Sequence, residues 1–231
     1  MNYSDITVNT SQTQYLYKGK PLFSHAFLNA LNFHKEGLAA VLDESGAYHI
    51  NMKGEAIYRE RYDRTFGYYY EKAGVINKKG AFHIDIHGKP IYNQCYIWVG
   101  NYQQNVCTVR DLDDFYFHID EKGNSLYDEK YMYAGDFRDG IACVQLVNGK
   151  FTHIYKDGSK VHNRYFFDLN VYHKGFACAK DEKGWHHIDI HGKEIYKHRF
   201  LMIEPFYNGL ALVTDFEGEK GVIDEEGNFL K

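Results

Sequence analysis

The sequence has little proline, no long apolar run and no block of one charge. Only 3 of its 231 residues are proline, which is too few for a proline-rich linker between domains. No stretch of 18 apolar residues occurs, so a membrane-spanning helix is not predicted. The 27 basic and 31 acidic residues are mixed along the chain, and no basic block could neutralise a run of phosphates. We therefore expect neither a membrane nor a nucleic acid as partner.

The sequence also lacks the short motifs of common catalytic and cofactor sites. It contains no GxGxxG after a strand, no P-loop, no GxSxG and no HExxH. Its four cysteines, Cys95, Cys107, Cys143 and Cys178, show no CxxC spacing, and we interpret them as small, reduced core residues. The polar segment 1–14 does not have the charged-then-apolar pattern of a secretory signal. These absences favour a cytoplasmic binding protein without a cofactor over an enzyme.

Aromatic residues are abundant, and they fall into a repeat. The 21 Tyr and 16 Phe favour strands over helices or linkers. A glycine that opens a short segment returns every 34 or 35 residues, and we call these segments the glycine anchors. They are Gly19–Phe23, Gly54–Tyr58, Gly88–Tyr92, Gly123–Tyr127, Gly158–His162, Gly192–Tyr196 and Gly227–Lys231.

Each period holds the elements of four short strands. A stretch that alternates in polarity precedes the anchor and ends, as at Asp85, three residues before the glycine. A side-chain acceptor followed by glycine at that distance is typical of a type I turn, so Asp85 and its equivalents are interpreted as turn caps. The rest of each period holds a small apolar strand and, before it, two aromatic residues six apart. These pairs are Phe27 and Phe33, Tyr62 and Tyr68, Tyr96 and Tyr102, Tyr131 and Phe137, Phe166 and Tyr172, and Phe200 and Phe206.

We therefore predict an all-β tandem repeat of six units of about 35 residues built from short antiparallel strands. A polar N-terminal segment, 1–14, precedes one repeat domain, 15–231. Six periods suit a β-propeller, which has roughly four to eight blades, whereas a surplus half-repeat at 15–23 suits the end of an open β-solenoid. Both architectures stay open at this point. The repeats span about 24–58, 59–92, 93–127, 128–162, 163–196 and 197–231.

The string Gly184–Asp189, which reads GWHHID and is followed by Gly192 and Lys193, resembles the bacterial WG-repeat family. That family is named for a Trp-Gly pair before a Tyr-Ile-Asp strand. The resemblance is divergent, because Trp185 is the only tryptophan at its position and His186 stands where the glycine belongs. It implies a β repeat of bacterial proteins that is sometimes attached to other domains and has no agreed catalytic residues.

Histidine recurs at one position of the alternating strand in five repeats. Repetition can bring equivalent imidazoles towards a common axis, where they could bind a metal or a small ligand, with an enzymatic reaction there as a further alternative. The same pattern suits structural hydrogen bonds on the polar face of a strand. The candidate metal ligands are His49, His83, His118, His153 and His187.

The second period departs most from the pattern. Five aromatic residues crowd into nine positions at 62–70, and aromatic residues beyond the needs of a core often form binding surfaces. Ordinary core packing is the alternative. The predicted binding residues are Tyr68, Tyr69, Tyr70, Trp98, Trp185, His83, His118 and His187.

The function that these features predict is a non-catalytic binding or scaffold module. Its repeated strands would present a surface to a protein partner or to an attached domain. The alternatives are a small-ligand or metal site lined by the repeated histidines, and the repeat portion of a longer enzyme.

Overall fold

The structure is a computed structural model in which residues 1–230 are described; Lys231, the last residue of the seventh glycine anchor, lies outside them. Apart from one 3-10 turn at Tyr3–Asp5, the regular structure of these residues is entirely β-strand. The strands form seven antiparallel sheets of three strands each. The predicted all-β repeat of short antiparallel strands is confirmed.

The first sheet includes the polar N-terminal segment, and the next two cover the first two full repeats. Their strands are β1 (Ile6–Val8), β2 (Tyr15–Tyr17), β3 (Lys20–Pro21), β4 (Asn29–Ala30), β5 (Leu38–Asp43), β6 (Gly46–Asn51), β7 (Arg64–Tyr69), β8 (Lys72–Asn77) and β9 (Gly80–Ile84).

The other four sheets share one plan, a two-residue edge strand followed by two strands of five residues. Their strands are β10 (Trp98–Val99), β11 (Val106–Arg110), β12 (Tyr116–Asp120), β13 (Tyr133–Ala134), β14 (Ile141–Gln145), β15 (Phe151–Tyr155), β16 (Asp168–Leu169), β17 (Ala177–Asp181), β18 (Gly184–Ile188), β19 (Met202–Ile203), β20 (Leu210–Thr214) and β21 (Lys220–Asp224).

The prediction of four strands per repeat is wrong, because the glycine anchors of the full repeats do not form strands in the described residues; only the first anchor does, as β3. After β9 the anchor meets it through a single bridge between Pro90 and Ile84. Beyond the bridge the Ile91 N–H donates to the His83 carbonyl at 3.0 Å, and the Tyr92 hydroxyl bonds Nδ1 of His83. Each repeat therefore has three strands and one bridged segment.

The predicted type I turns are present. At the third sheet the Gly88 N–H donates to the Asp85 carbonyl at 3.0 Å, and the Asp85 carboxylate accepts from the N–H groups of His87 and Lys89, each at 2.9 Å. Gly88 has φ +76°, and a Cβ on it would lie 2.5 Å from Cγ of Tyr58. Both its backbone conformation and the packed tyrosine ring require glycine here.

The second repeat differs in its first strand. Its aromatic run forms a continuous six-residue strand, β7, in place of a two-residue edge strand. The pairing register of β7 with β8 shifts between Thr65 and Tyr68, so Phe66 and Gly67 form a β-bulge, which bends a strand locally. The irregularity seen in the sequence is thus an irregularity of the sheet.

The core of each sheet comes from the predicted small apolar strand and the alternating strand. One isoleucine of the alternating strand is fully buried in every full repeat, for example Ile84 and Ile188. Cys107, Cys143 and Cys178 are free and buried as expected, whereas Cys95 is free but only half-buried. The prediction of core cysteines therefore holds for three of the four.

The chain divides into two compact units. The first comprises Met1–Asp114 and His118–Ser125, and the second comprises Phe115–Phe117 and the residues from Leu126 onward. The two pockets described below each lie within one unit.

Candidate functional site

The five repeated histidines are buried, each no more than 1% exposed. In the second sheet, His49 Nδ1 lies 2.5 Å from the Tyr58 hydroxyl and Nε2 lies 2.7 Å from the Phe66 carbonyl oxygen. The tyrosine is nine residues later, in the glycine anchor, and the carbonyl is seventeen residues later, in the next repeat. His83 and His187 make the same two bonds. Each of these imidazoles thus links consecutive repeats.

The geometry fixes the tautomer of these side chains. A carbonyl oxygen can only accept, so Nε2 carries the proton and donates, and Nδ1 accepts from the tyrosine hydroxyl. Burial lowers the pKa of His49, His83, His153 and His187 from 6.5 to about 4. The histidines are therefore neutral at physiological pH, with both ring nitrogens engaged.

His153 has a different partner, because His162 takes the place of the anchor tyrosine. His153 Nε2 donates to the Asn170 carbonyl at 2.8 Å, so its Nδ1 must accept from Nε2 of His162, 3.1 Å away. Nδ1 of His162 in turn accepts from the N–H of Arg164. A second imidazole completes this cross-link.

The structure gathers no metal cluster from these histidines. Among residues 1–230, no group of three or more His, Cys, Asp or Glu side chains lies together in a way that could hold a metal ion. A metal on His83 would also have to displace the hydroxyl of Tyr92 or the carbonyl of Gly100. The hydrogen bonds account for the repeat of histidine by themselves.

The other predicted binding residues separate into buried and exposed groups. Tyr68 is 1% exposed, and its hydroxyl donates to the Asp85 carbonyl at 2.9 Å. Tyr69 and Tyr70 are exposed, as is Trp98 at the start of β10. Trp185 is half-buried, with the Lys180 ammonium 5.9 Å from its ring centroid. Of these five residues, Tyr69, Tyr70 and Trp98 are the ones that a partner could contact readily.

A further set of residues, of which the sequence singled out only Tyr69, follows the second aromatic of each pair. We call these the turn positions, because each opens a tight turn between the first two strands of its sheet. In the first unit, His34 and Tyr69 are in edge-to-face contact at 4.9 Å between ring centroids. In the second unit, His173 and Tyr207 are in tilted contact at 5.0 Å. The turn positions are His34, Tyr69, Gln103, Arg138, His173 and Tyr207.

One pocket in the first unit lies at these turns and contains both signs of charge. It has a volume of 520 Å³ and includes Lys35, Glu36, Tyr70, Lys72 and Glu121 in its lining. The Lys72 ammonium and the Glu121 carboxylate form an ion pair at 2.6 Å, and the Lys35 ammonium lies 5.1 Å from the centroid of the Tyr70 ring. We call this the mixed-charge pocket.

A second pocket lies at the equivalent turns of the second unit. Its volume is 320 Å³, and it is lined in part by Tyr133, Arg138, Val171, His173 and Tyr207. No Asp or Glu is among the described residues that line it. We call this the Arg138 pocket. Its residues lie about 35 apart in sequence, so only their shared place in the repeat could have revealed them.

Exposed apolar side chains recur at the start of the edge strands. Met132, Phe167 and Leu201 hold the same position in three consecutive repeats of the second unit and are 46%, 47% and 49% exposed. Leu28 and Ile97 hold that position in the first unit and are also exposed. We call these five residues the strand-edge positions. The second repeat has Asp63 there, which again makes it the exception.

The family model of the WG containing repeat matches residues 118–151 and 188–215. No curated protein matches the chain in sequence. Among solved structures, the computationally designed Ika8 protein superposes with a TM-score of 0.52 and 11% identity, over 98% of this chain and 82% of that one. BamB from Moraxella catarrhalis superposes with 0.51 and 11% identity, over 98% and 81%.

Kluyveromyces lactis Hsv2 superposes with a TM-score of 0.51 and 9% identity, over 100% of this chain and 96% of that one. BamB and Hsv2 are β-propellers, so the fold of this chain is propeller-like. At these identities the likeness concerns the fold alone. No helix in residues 1–230 has the length and apolar character needed to cross a membrane.

Proposed function

Because the chain carries WG repeats on a propeller-like fold, we propose that it is a non-catalytic module that binds a protein partner or an attached domain. The strand-edge positions carry this proposal. Repetition of an exposed apolar side chain at one structural position extends a contact surface without adding to any core. Fold likeness alone would not decide between binding and catalysis.

The composition of these positions fits a protein interface. Methionine and aromatic residues are enriched where proteins meet. Met132 is followed by the exposed Tyr133 on β13, and Leu201 is followed by the exposed Met202 on β19. The edge strands β13 and β19 are each two residues long. They are too short to template a long added strand, so side chains would supply most of the contact.

We propose that the partner contributes apolar side chains, because none of the strand-edge positions is charged. A cytoplasmic location in a bacterial cell is part of the proposal, since four free cysteines suit a reducing compartment. A second copy of this chain or a bound metal would be a different result, and the experiment below distinguishes both.

Native mass spectrometry of the chain, purified gently from its own cells, tests the proposal. We expect a protein partner at fixed stoichiometry, lost in a variant with Met132→Ser, Phe167→Ser and Leu201→Ser. The matched control is Leu112→Ser with Val147→Ser, since these residues are 73% and 74% exposed but lie outside the strand-edge positions.

Three outcomes would contradict the proposal. The chain could emerge alone, it could form only homo-oligomers, or its partner could survive the triple substitution. Bound metal that disappears in His83→Ala and His187→Ala would favour the histidine-lined site instead.

A further inference from the structure

The Arg138 pocket has a free cationic group at its rim. Arg138 is exposed at its turn position, and its guanidinium makes no hydrogen bond or ion pair within residues 1–230. The mixed-charge pocket differs, because Glu121 there neutralises Lys72 directly. A guanidinium without a carboxylate partner is available to a ligand.

A buried polar atom in the same pocket also has no partner. Nε2 of His173 is inaccessible to water, yet no hydrogen-bond partner for it exists among the described residues. An unsatisfied buried nitrogen of this kind is unfavourable, and such exceptions call for an explanation. A ligand would satisfy this nitrogen if the imidazole ring turned towards the pocket on binding, and the same ligand would use the guanidinium.

The titratable groups that line the pocket carry no negative charge, although the carboxylates of Asp136 and Asp168 lie near Tyr133 and Cys143 and help to raise their pKa. Burial raises the pKa of the Cys143 thiol to about 12, and this thiol donates to the Leu169 carbonyl at 3.1 Å. Burial likewise raises the pKa of the Tyr133 phenol. Both groups stay protonated at neutral pH, so the described lining is itself cationic or neutral, and the two nearby carboxylates are not part of it.

We propose that the Arg138 pocket binds a carboxylate carried on an apolar body. The Arg138 guanidinium would donate to the two carboxylate oxygens, an arrangement that planar geometry favours. Nε2–H of His173, which is inaccessible in the free chain, would become a third donor once the ring turns towards the ligand. Val171, Pro205 and Tyr207 would contact the apolar part of the ligand.

The size of the pocket limits the ligand to a small one. A volume of 320 Å³ is near the lower end of the roughly 300–1,000 Å³ seen for small-molecule sites. A free organic acid and an acidic side chain of a protein partner share this chemistry. The inference is independent of the strand-edge positions and holds whether or not they bind a protein.

Binding of two matched probe pairs to the intact chain tests the inference by isothermal titration calorimetry. The first pair is N-acetylphenylalanine and its amide, which differ only in the carboxylate. The second is a seven-residue peptide with one glutamate between apolar residues and the same peptide with glutamine. Each probe is measured on the natural chain and on variants that melt, by circular dichroism, at the same temperature.

We expect at least one acid to bind about tenfold more tightly than its neutral counterpart, which corresponds to about 1.4 kcal/mol. Arg138→Gln should remove that preference, and glutamine is the natural residue at the equivalent turn position, Gln103. His173→Gln should weaken acid binding severalfold. His34→Gln, at the same turn position in the first unit, should leave it unchanged.

Equal binding of acids and neutral probes, no binding of either acid, or full binding by Arg138→Gln would each overturn the inference. Tighter binding of the free acid would identify a small-molecule site, and tighter binding of the peptide would identify a partner's side chain. Neither result depends on recovery of a partner from cells, so failure of the proposed function remains distinguishable.

Discussion

The cross-links and the turn positions lie in the same repeats and follow opposite rules. At the cross-links the chemistry recurs: a buried histidine accepts from an anchor side chain and donates to a carbonyl seventeen residues on. At the turn positions the backbone recurs, but the side chain changes from Tyr69 to Arg138 to His173. The comparison indicates that the repeated side chains hold the fold, and we propose that the varied ones at a repeated position supply the binding sites.

Acid should break the histidine cross-links of both units. We predict that this causes the largest loss in the free energy of unfolding of all the changes considered. The folded pKa of His49, His83, His153 and His187 is about 4 against 6.5 ordinarily, so the unfolded chain takes up more protons between these values. Stability is therefore complete above pH 6.5 and falls as the pH drops towards 4. A shift of this size is worth about 3 kcal/mol for each histidine.

The second unit should unfold at a higher pH than the first, because burial also lowers the pKa of its His162 and His186. Protonation of these two additional histidines would favour its unfolded state further. Trp98 reports on the first unit and Trp185 on the second. Tryptophan fluorescence of the single-tryptophan variants Trp185→Phe and Trp98→Phe during acid titration would separate the two transitions. A chain that keeps both signals unchanged to pH 3 would contradict the neutral, buried cross-links.

Removal of one cross-link should cost far more than removal of one turn side chain. His83→Ala leaves the Tyr92 hydroxyl and the Gly100 carbonyl without their partner and opens a cavity in the core. We expect a loss of about 3–5 kcal/mol in the free energy of unfolding. Arg138→Ala, at an exposed turn position, should stay within about 0.5 kcal/mol. Urea denaturation measures both, and similar losses would remove the distinction.

The glycines offer the same contrast in the backbone. Gly88 and Gly140 both have positive φ, at +76° and +81°, but only Gly88 is covered by a side chain, that of Tyr58. Gly140→Ala should cost about 1 kcal/mol from its conformation alone. Gly88→Ala should cost about 2–4 kcal/mol, because the tyrosine ring must also move. If thermal unfolding shows equal destabilisation by Gly88→Ala and Gly140→Ala, the Tyr58 ring moves aside at no cost in free energy.

The sequence predicts the repeated histidine cross-links better than it predicts the varied turn positions. The period, the turn at Asp85 and the strand that contains His83 follow from local spacing. Partners seventeen residues apart do not, because the bond from His83 to the Gly100 carbonyl depends on how one sheet packs on the next. In the sequence alone, Arg138 and His173 resemble ordinary polar turn residues. Only the fold shows that they line the same pocket.

The smallest predicted effect concerns Tyr70, which lies in a turn whose backbone conformation recurs while its side chain varies. Tyr70 and Glu71 hold φ values of +51° and +61°, whereas the corresponding turn in the second unit has Asp139 and Gly140. Bulky residues with positive φ are strained by about 1 kcal/mol or more, and Tyr70 is 53% exposed, so burial does not offset that strain.

Tyr70→Asn should therefore raise the free energy of unfolding by up to about 1 kcal/mol, because asparagine tolerates this conformation better. Tyr69→Asn is the matched control. Tyr69 does not have a positive φ and is in contact with His34, so its loss should destabilise the chain slightly. If chemical denaturation shows that Tyr70→Asn is instead destabilising, the ring stabilises the fold, through its contact with the Lys35 ammonium, by more than the strained backbone costs.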